Sequence, residues 1–335
     1  MEKVKVLILG LGNFGYSWAT SVLPACGDFA RLVGVVDRRE ERWKGMEEGV
    51  PGFRELEPAL DETRPELVIN VTPPSAHSEI NEFLLRRKIA VLCEKPIADT
   101  WENARKTGRV LEEEKGFLMI GENYRYHPVF REARRLLESG LPGRIHSLSC
   151  HFRHDHPDYS MFYHGTLPHP LLEDVSIHHL DLARYLSREE PLRVWCRESG
   201  AKYSWYQERP ASALIVSDMA HDVLFHYDGT LASPVSTTDW NGDWEIECDR
   251  GALQIRGSRL FFCRRERTEE IPLPADTEDS RVEMLQEACR ALREGRKAET
   301  DYLDNMKSFA WMRGAIRASG KRDWVTMEKQ DTENF

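Results

Sequence analysis

No stretch of this chain approaches the roughly 20 consecutive apolar residues that a membrane-spanning helix requires. Nor is there a block of lysines and arginines: 46 basic residues against 56 acidic ones leave a formal net charge of −10, without the basic footprint of a nucleic-acid binder. The seven cysteines, at 26, 93, 150, 196, 248, 263 and 289, form no Cys-x-x-Cys pair and are odd in number. That argues against a zinc ribbon, a redox dithiol or a fully paired disulfide framework, so reduced structural thiols are expected. Internal repeats, low-complexity tracts and long linkers are also missing. The apolar run ahead of the first glycine is too short for a signal-peptide core, so the expectation is a soluble, cytoplasmic protein. The polar residues after Trp324 are expected to fray.

What is present begins at once. The run Val4–Leu9 breaks directly into Gly10-Leu-Gly12-Asn13-Phe14-Gly15. In such a turn the first glycine permits the tight exit from a strand, the second lets the backbone approach a pyrophosphate, and the third lets the next helix pack closely on the sheet. That helix aims its free N–H groups and the positive end of its dipole at the phosphates. A second β-rich run ends in Asp37, twenty-two positions after Gly15, where a carboxylate would accept hydrogen bonds from an adenosine ribose. The alternative is the first strand, turn and helix of some other α/β protein, with Asp37 an ordinary strand-end acid; strand, glycine turn, helix and acid at the expected spacing together favour the dinucleotide reading. Asp37 repels a 2′-phosphate and favours NAD, while Arg38 and Arg39 follow immediately and leave NADP open.

At 335 residues the chain exceeds the size at which single cores stop growing, about 250–300 residues, and two domains are expected, 1–123 and 124–335. Up to Gly121 strand and helix patterns alternate: strands at 4–9, 31–37, 66–71, 89–93 and 117–121, helices at 13–24, 39–47, 75–87 and 99–114. This predicts an α/β, doubly wound parallel sheet with ligands outside the carboxyl ends of its strands. The third of these strands ends in Thr72-Pro73-Pro74 with His77 just beyond, and the fourth in Glu94-Lys95-Pro96. The candidate cofactor-binding set is therefore Gly10, Gly12, Asn13, Phe14, Gly15, Asp37, Arg38, Thr72, Pro73, His77, Glu94 and Lys95. Beyond residue 125 the pattern becomes α+β: a helix at 128–139, a strand at 143–153, a loop, a helix at 173–187, then short runs at 192–198, 213–218, 222–227, 230–238, 244–249, 252–256 and 259–264. These predict an open, mostly antiparallel sheet, closed by helices at 280–294 and 301–319.

On the 173–187 helix, Asp174, His178 and Asp181 fall at i, i+4 and i+7, on one face. A histidine between two carboxylates suits a general base near neutral pH, although the same trio serves equally to cap the helix and tie it to its neighbours. Eight of the twelve histidines lie between His146 and His179. His154, His156, Asp155 and Asp158 are weighed as metal ligands, but the run lacks a ligand signature and no metal is expected. Trp205, Trp240 and Trp244 are read as packing or interface residues rather than as site residues.

Taken in order, Gly10-x-Gly12-x-x-Gly15, Glu94-Lys95-Pro96, Tyr124-Arg125-x-His127-Pro128 and Asp174-x-x-x-His178-x-x-Asp181 resemble the Gfo/Idh/MocA oxidoreductases over nearly the whole chain. The resemblance implies a Rossmann domain that binds NAD, with NADP left open, and a second domain for substrate binding and oligomerisation. It implies hydride transfer between the nicotinamide and a secondary alcohol or ketone of a sugar, inositol or related polyol. By the same carry-over the catalytic residues are Lys95, beside the reacting oxygen, His178 as proton acceptor, and Asp174 as the third polar member. A homodimer or homotetramer through the second-domain sheet is likewise implied, with neither nucleic acid nor membrane as a partner. Other functions on such a scaffold are an NAD-dependent glycosidase working by transient oxidation and a non-catalytic dinucleotide-sensing regulator. One departure stands out: where many members carry glycines, this chain has Pro168-His169-Pro170-Leu171-Leu172-Glu173. Glu173 is expected to hold a nearby imidazole protonated.

Overall fold

The computed structural model describes residues 2–46, 49–155, 167–274 and 279–327. The chain groups into two compact units. One runs to Asn123 and takes in the later stretch that ends at Met306; the other starts at Tyr124 and resumes at Lys307.

The first unit is built on six strands: β1 (Val4–Leu9), β2 (Ala30–Val36), β3 (Gly52–Phe53), β4 (Leu67–Asn70), β5 (Ala90–Cys93) and β6 (Leu118–Ile120). They pair in parallel in the order β3-β2-β1-β4-β5-β6. Every residue of β4 and β5 is buried, as a parallel sheet covered on both faces requires. The order reverses between β1 and β4, the point outside which open α/β sheets bind ligands. Helix α1 (Asn13–Ser17) continues through a π-helical turn, Trp18–Val22, into α2 (Leu23–Ala25). Then come α3 (Leu56–Thr63), α4 (Pro74–Arg86) and α5 (Trp101–Glu114). The helix expected at 39–47 is instead a single 3-10 turn, Glu40–Arg42, because two side chains fold back onto the end of β2. The Trp43 indole donates to the Asp37 carbonyl and Arg42 to the Asp37 carboxylate.

In the second unit α6 (Pro128–Glu138) and α7 (Ile177–Ser187) accompany a nine-stranded sheet. Its strands are β7 (Ile145–Arg153), β8 (Pro191–Ala201), β9 (Gln207–Met219), β10 (Leu224–Thr230), β11 (Asp243–Cys248), β12 (Gly251–Arg256), β13 (Arg259–Arg264), β14 (Arg267–Ile271) and β15 (Val325–Thr326). All pairs are antiparallel except β7 with β10. Burial alternates residue by residue along β10, so one face is covered and the other is open. The covered face receives Trp311, whose indole donates to Ser217 and packs edge-on against Phe225. The open face carries Leu214 and Leu224, 44% and 41% exposed. The strand expected at 230–238 is absent, since beyond an isolated bridge at Ala232 the chain runs into Pro234. Of the closing helices, α8 (Ser280–Glu294) groups with the first unit, and α9 (Tyr302–Lys321) is shared, its residues from Lys307 grouping with the second.

A buried ion pair ties α7 to the segment ahead of α6. Arg125 donates from Nε and Nη2 to the two oxygens of Asp181, both at 2.6 Å, and Ser308 donates to Asp181 at 2.7 Å. Removing one partner of such a pair leaves a charge stranded in the interior. Arg125→Ala is therefore expected to lower the unfolding free energy by about 3–5 kcal/mol in urea titrations. A loss under ~1 kcal/mol, the range of exposed pairs, would contradict this reading of the pair.

Candidate functional site

The glycine turn has the shape that its sequence requires. Gly10 sits at φ +93°, and a Cβ there would stand 2.8 Å from the Val71 carbonyl oxygen; a Cβ on Gly15 would stand 1.8 Å from the Gly10 oxygen. Both positions are closed to any side chain by backbone. Gly12 differs, since a Cβ there would meet only Arg42 Nη1, at 3.7 Å. Helix α1 starts at Asn13 without a side-chain cap, which leaves its first N–H groups for an anion. Asn13 and Phe14 are exposed at this end. The turn fits a dinucleotide: backbone fills the space behind it and open space lies in front.

Asp37 closes the turn from the end of β2. Its carboxylate accepts the Leu11 N–H at 2.9 Å, the Arg39 N–H at 2.9 Å and Arg42 Nη1 at 3.3 Å. Partial burial works against its charge, and these donors outweigh it and hold the pKa below the usual value of 3.8. Arg38 is exposed beside it.

At the ends of β4 and β5 the other candidates form a braced pair of loops. Thr72 donates from its N–H and its hydroxyl to Asn70 Oδ1, at 3.2 and 2.6 Å. Pro73 is exposed and caps α4. Buried Glu94 accepts from the Trp18 indole at 2.9 Å, while Lys95 is half-buried and precedes a cis peptide bond to Pro96. His77, expected to touch cofactor, is wholly buried, with Nδ1 2.8 Å from the Pro96 carbonyl and Nε2 2.7 Å from the Thr72 carbonyl. Burial pushes its pKa down. The neutral ring carries one N–H, which donates to one of these two carbonyls, and the ring sits between the two loops. Sequence spacing also gave no hint of Arg281 at the start of α8. Its guanidinium lies 4.6 Å from the centroid of the Phe14 ring and donates to Ser17 at 2.8 Å.

In the second unit the helix bearing the candidate base begins with a π-helical turn, Leu171–Ser176, and continues as α7. Asp174 and His178 are each 4% exposed. The His178 ring stacks on Tyr124, centroids 4.2 Å apart and planes 17° from parallel. The adjacent His179 is fully buried, with Nδ1 3.3 Å from the Tyr227 hydroxyl and Nε2 3.0 Å from the Trp240 carbonyl. Of the two neighbours, His179 is thus a structural residue. Asp181 does not join the site, because Arg125 and Ser308 occupy its carboxylate.

The imidazole that Glu173 helps to hold protonated is that of His169. Glu173 accepts the His169 N–H at 3.1 Å and lies 3.7 Å from Arg313, and burial raises its pKa. His169 Nδ1 sits 3.0 Å from both oxygens of Glu198, which raises the pKa of His169 above 6.5, with Glu173 adding to the shift. The segment that replaces the glycines is therefore held by a His–Glu pair. Among the described residues no three His, Cys, Asp or Glu side chains are placed to hold a metal ion. His156 and Asp158 lie outside the described residues.

A family model described as "Oxidoreductase family, NAD-binding Rossmann fold" matches residues 4–122, and one for the GFO/IDH/MocA C-terminal domain matches residues 130–258. An inositol 2-dehydrogenase of Rhizobium meliloti is 29% identical over 199 residues, spanning 57% of this chain and 57% of its own length. An oxidoreductase from Agrobacterium radiobacter, solved with NAD+, L-tartaric acid and magnesium, superposes with a TM-score of 0.86 at 20% identity, over 97% of this chain and 99% of that one. An aldose-aldose oxidoreductase from Caulobacter crescentus, solved with glycerol, gives a TM-score of 0.84 at 20% identity, over 97% and 100%. The two solved structures share the fold.

The folded pKa of His169 exceeds its unfolded value, so its pair with Glu198 contributes stability that is complete below about pH 6.5 and fades as pH rises through the folded pKa. Raised Glu173 acts in the same direction. Wild-type protein should lose unfolding free energy as pH rises above about 6.5, and His169→Gln should flatten that slope in urea titrations. A variant with an unchanged slope would contradict the pairing.

Proposed function

The chain belongs to the Gfo/Idh/MocA oxidoreductases, with an NAD-binding Rossmann domain, and from that premise we propose that it moves a hydride between NAD(P) and a secondary alcohol or ketone of a sugar, inositol or related polyol. The observation that supports this most is His178, an almost buried imidazole stacked on Tyr124 on the helix that also carries buried Asp174. A solvent-excluded imidazole of this kind suits proton transfer far better than a surface histidine.

In this reading Gly12 and the first N–H groups of α1 receive the diphosphate, with Asn13 and Phe14 at its edge, and Asp37 and Arg38 face the adenosine. Thr72, Pro73, Glu94 and Lys95 line the remainder of the cofactor site, and His77 supports it from behind. Bound dinucleotide supplies the hydride acceptor or donor. His178 takes the hydroxyl proton, Lys95 stabilises the charge that grows on the substrate oxygen, and Asp174 fixes the polar surroundings of His178. The name of the inositol 2-dehydrogenase relative supports a cyclic polyol and that of the aldose-aldose oxidoreductase a sugar. The open sheet face with Leu214 and Leu224 is offered as the contact of a cytoplasmic homodimer or homotetramer.

A panel of sugars, inositols and polyols, followed by absorbance of the reduced cofactor, identifies a substrate. On it, Lys95→Ala and His178→Ala should each lower turnover by about 10²–10⁴-fold at saturating cofactor. Near-native turnover in either variant removes that residue from the chemistry. Product released without net reduced cofactor would replace the dehydrogenase by a glycosidase that oxidises only transiently.

A further inference from the structure

The helix that carries the candidate base is not one continuous α-helix, and the break falls between the two side chains that matter. Asp174 lies inside the π-helical turn Leu171–Ser176, and His178 lies beyond it in α7. A π-helical turn inserts a residue, and each residue of an α-helix turns the chain by about 100°. Were the turn to relax to α-helix, the residues ahead of it would swing round the axis relative to α7. The angle between Asp174 and His178 is therefore set by whatever holds the turn.

The hold is built at the approach. Glu173 donates its N–H to the His169 carbonyl at 2.9 Å and accepts the His169 N–H on Oε2 at 3.1 Å, so the two residues clasp each other across the start of the turn. The His169 ring fastens this clasp to the sheet, Nδ1 standing 3.0 Å from both carboxylate oxygens of Glu198 on β8. Glu198 is anchored in turn, its N–H donating to Ser319 Oγ on α9 at 3.1 Å, and from the same helix Arg313 stands 3.7 Å from Glu173. The Glu198 side chain is 6% exposed, so a protonated His169 pairs a carboxylate that would otherwise be a stranded interior charge. The imidazole is faced by Glu198 from β8, by Glu173 from the turn and by Arg313 from α9. The two carboxylates hold its proton on, and partial burial and the guanidinium work against them.

We propose that His169 is a positioning residue: joined to Glu198 and Glu173, its protonated ring holds the π-helical turn and with it the angle between Asp174 and His178, so that turnover falls as this imidazole loses its proton. This rests on the roles given above to Asp174 and His178. Amide exchange of the full chain, read by mass spectrometry and corrected for the intrinsic effect of pH, tests the hold without any substrate. Protection over 171–178 should fall in wild type as pH rises above about 6.5 and be low at every pH in His169→Ala. It should lose most of its pH dependence in His169→Asn, whose amide donates to Glu198 without titrating. On a substrate found in the sugar and polyol panel, at saturating cofactor, His169→Ala should lower kcat about 10–100-fold. His169→Asn should recover part of that loss and lack the wild-type fall of kcat above neutral pH. Equal protection in wild type and His169→Ala, or an alkaline fall in kcat that persists unchanged in His169→Asn, overturns the role of His169 and leaves the dehydrogenase standing. If no member of the panel reduces the cofactor while the exchange results hold, the clasp stands as structure, and the function given to Asp174 and His178 falls together with the positioning role.

Discussion

A side chain at position 15 would stand 1.8 Å from the Gly10 carbonyl oxygen, and one at position 10 would stand 2.8 Å from the Val71 carbonyl oxygen. Those two forbidden volumes bring the start of α1 down onto the sheet at the point where strand order reverses. Asp37 then fastens the turn by accepting the Leu11 N–H. Everything offered about the cofactor follows from this geometry: a helix N-terminus facing open space, a backbone without a side chain at Gly12, and a carboxylate one strand away.

The second unit solves a different problem, that of placing an ionisable ring in an interior. His178 and His179 are neighbours in sequence and both are buried. His179 gives both nitrogens to Tyr227 and Trp240, whereas His178 is stacked on an aromatic ring. The ion pair of Arg125 with Asp181 fixes the helix beneath them, and His169 with Glu198 fixes its approach. His178 is thereby set between an ion pair on its own helix and the His169–Glu198 pair ahead of it.

Much of this was legible in the sequence, since periodicity marks buried parallel strands and glycine spacing marks the turn. The termini of β1 and α8 and the nine-residue body of β7 follow from such patterns. What stayed hidden depended on contacts between residues distant in sequence. The 39–47 segment has helical composition, but Arg42 and Trp43 bind the end of β2 and cut the helix to one turn. The i, i+4, i+7 spacing put Asp181 beside His178, yet Arg125, fifty-six residues earlier, claims it. His77 has the look of a ligand-edge histidine until both its nitrogens are seen on carbonyls. Strands β14 and β15 escaped because one is charged and the other is only two residues long.

The open space before the glycine turn serves a dinucleotide rather than the fold. Gly12 separates the two, because its backbone is extended, at φ −62° and ψ −179°, and a Cβ there has no neighbour closer than 3.7 Å. The decisive measurement is NAD affinity of Gly12→Val beside its melting temperature. Gly12→Val should melt near the wild-type temperature with NAD binding lost. Unchanged affinity in a well-folded variant would contradict it.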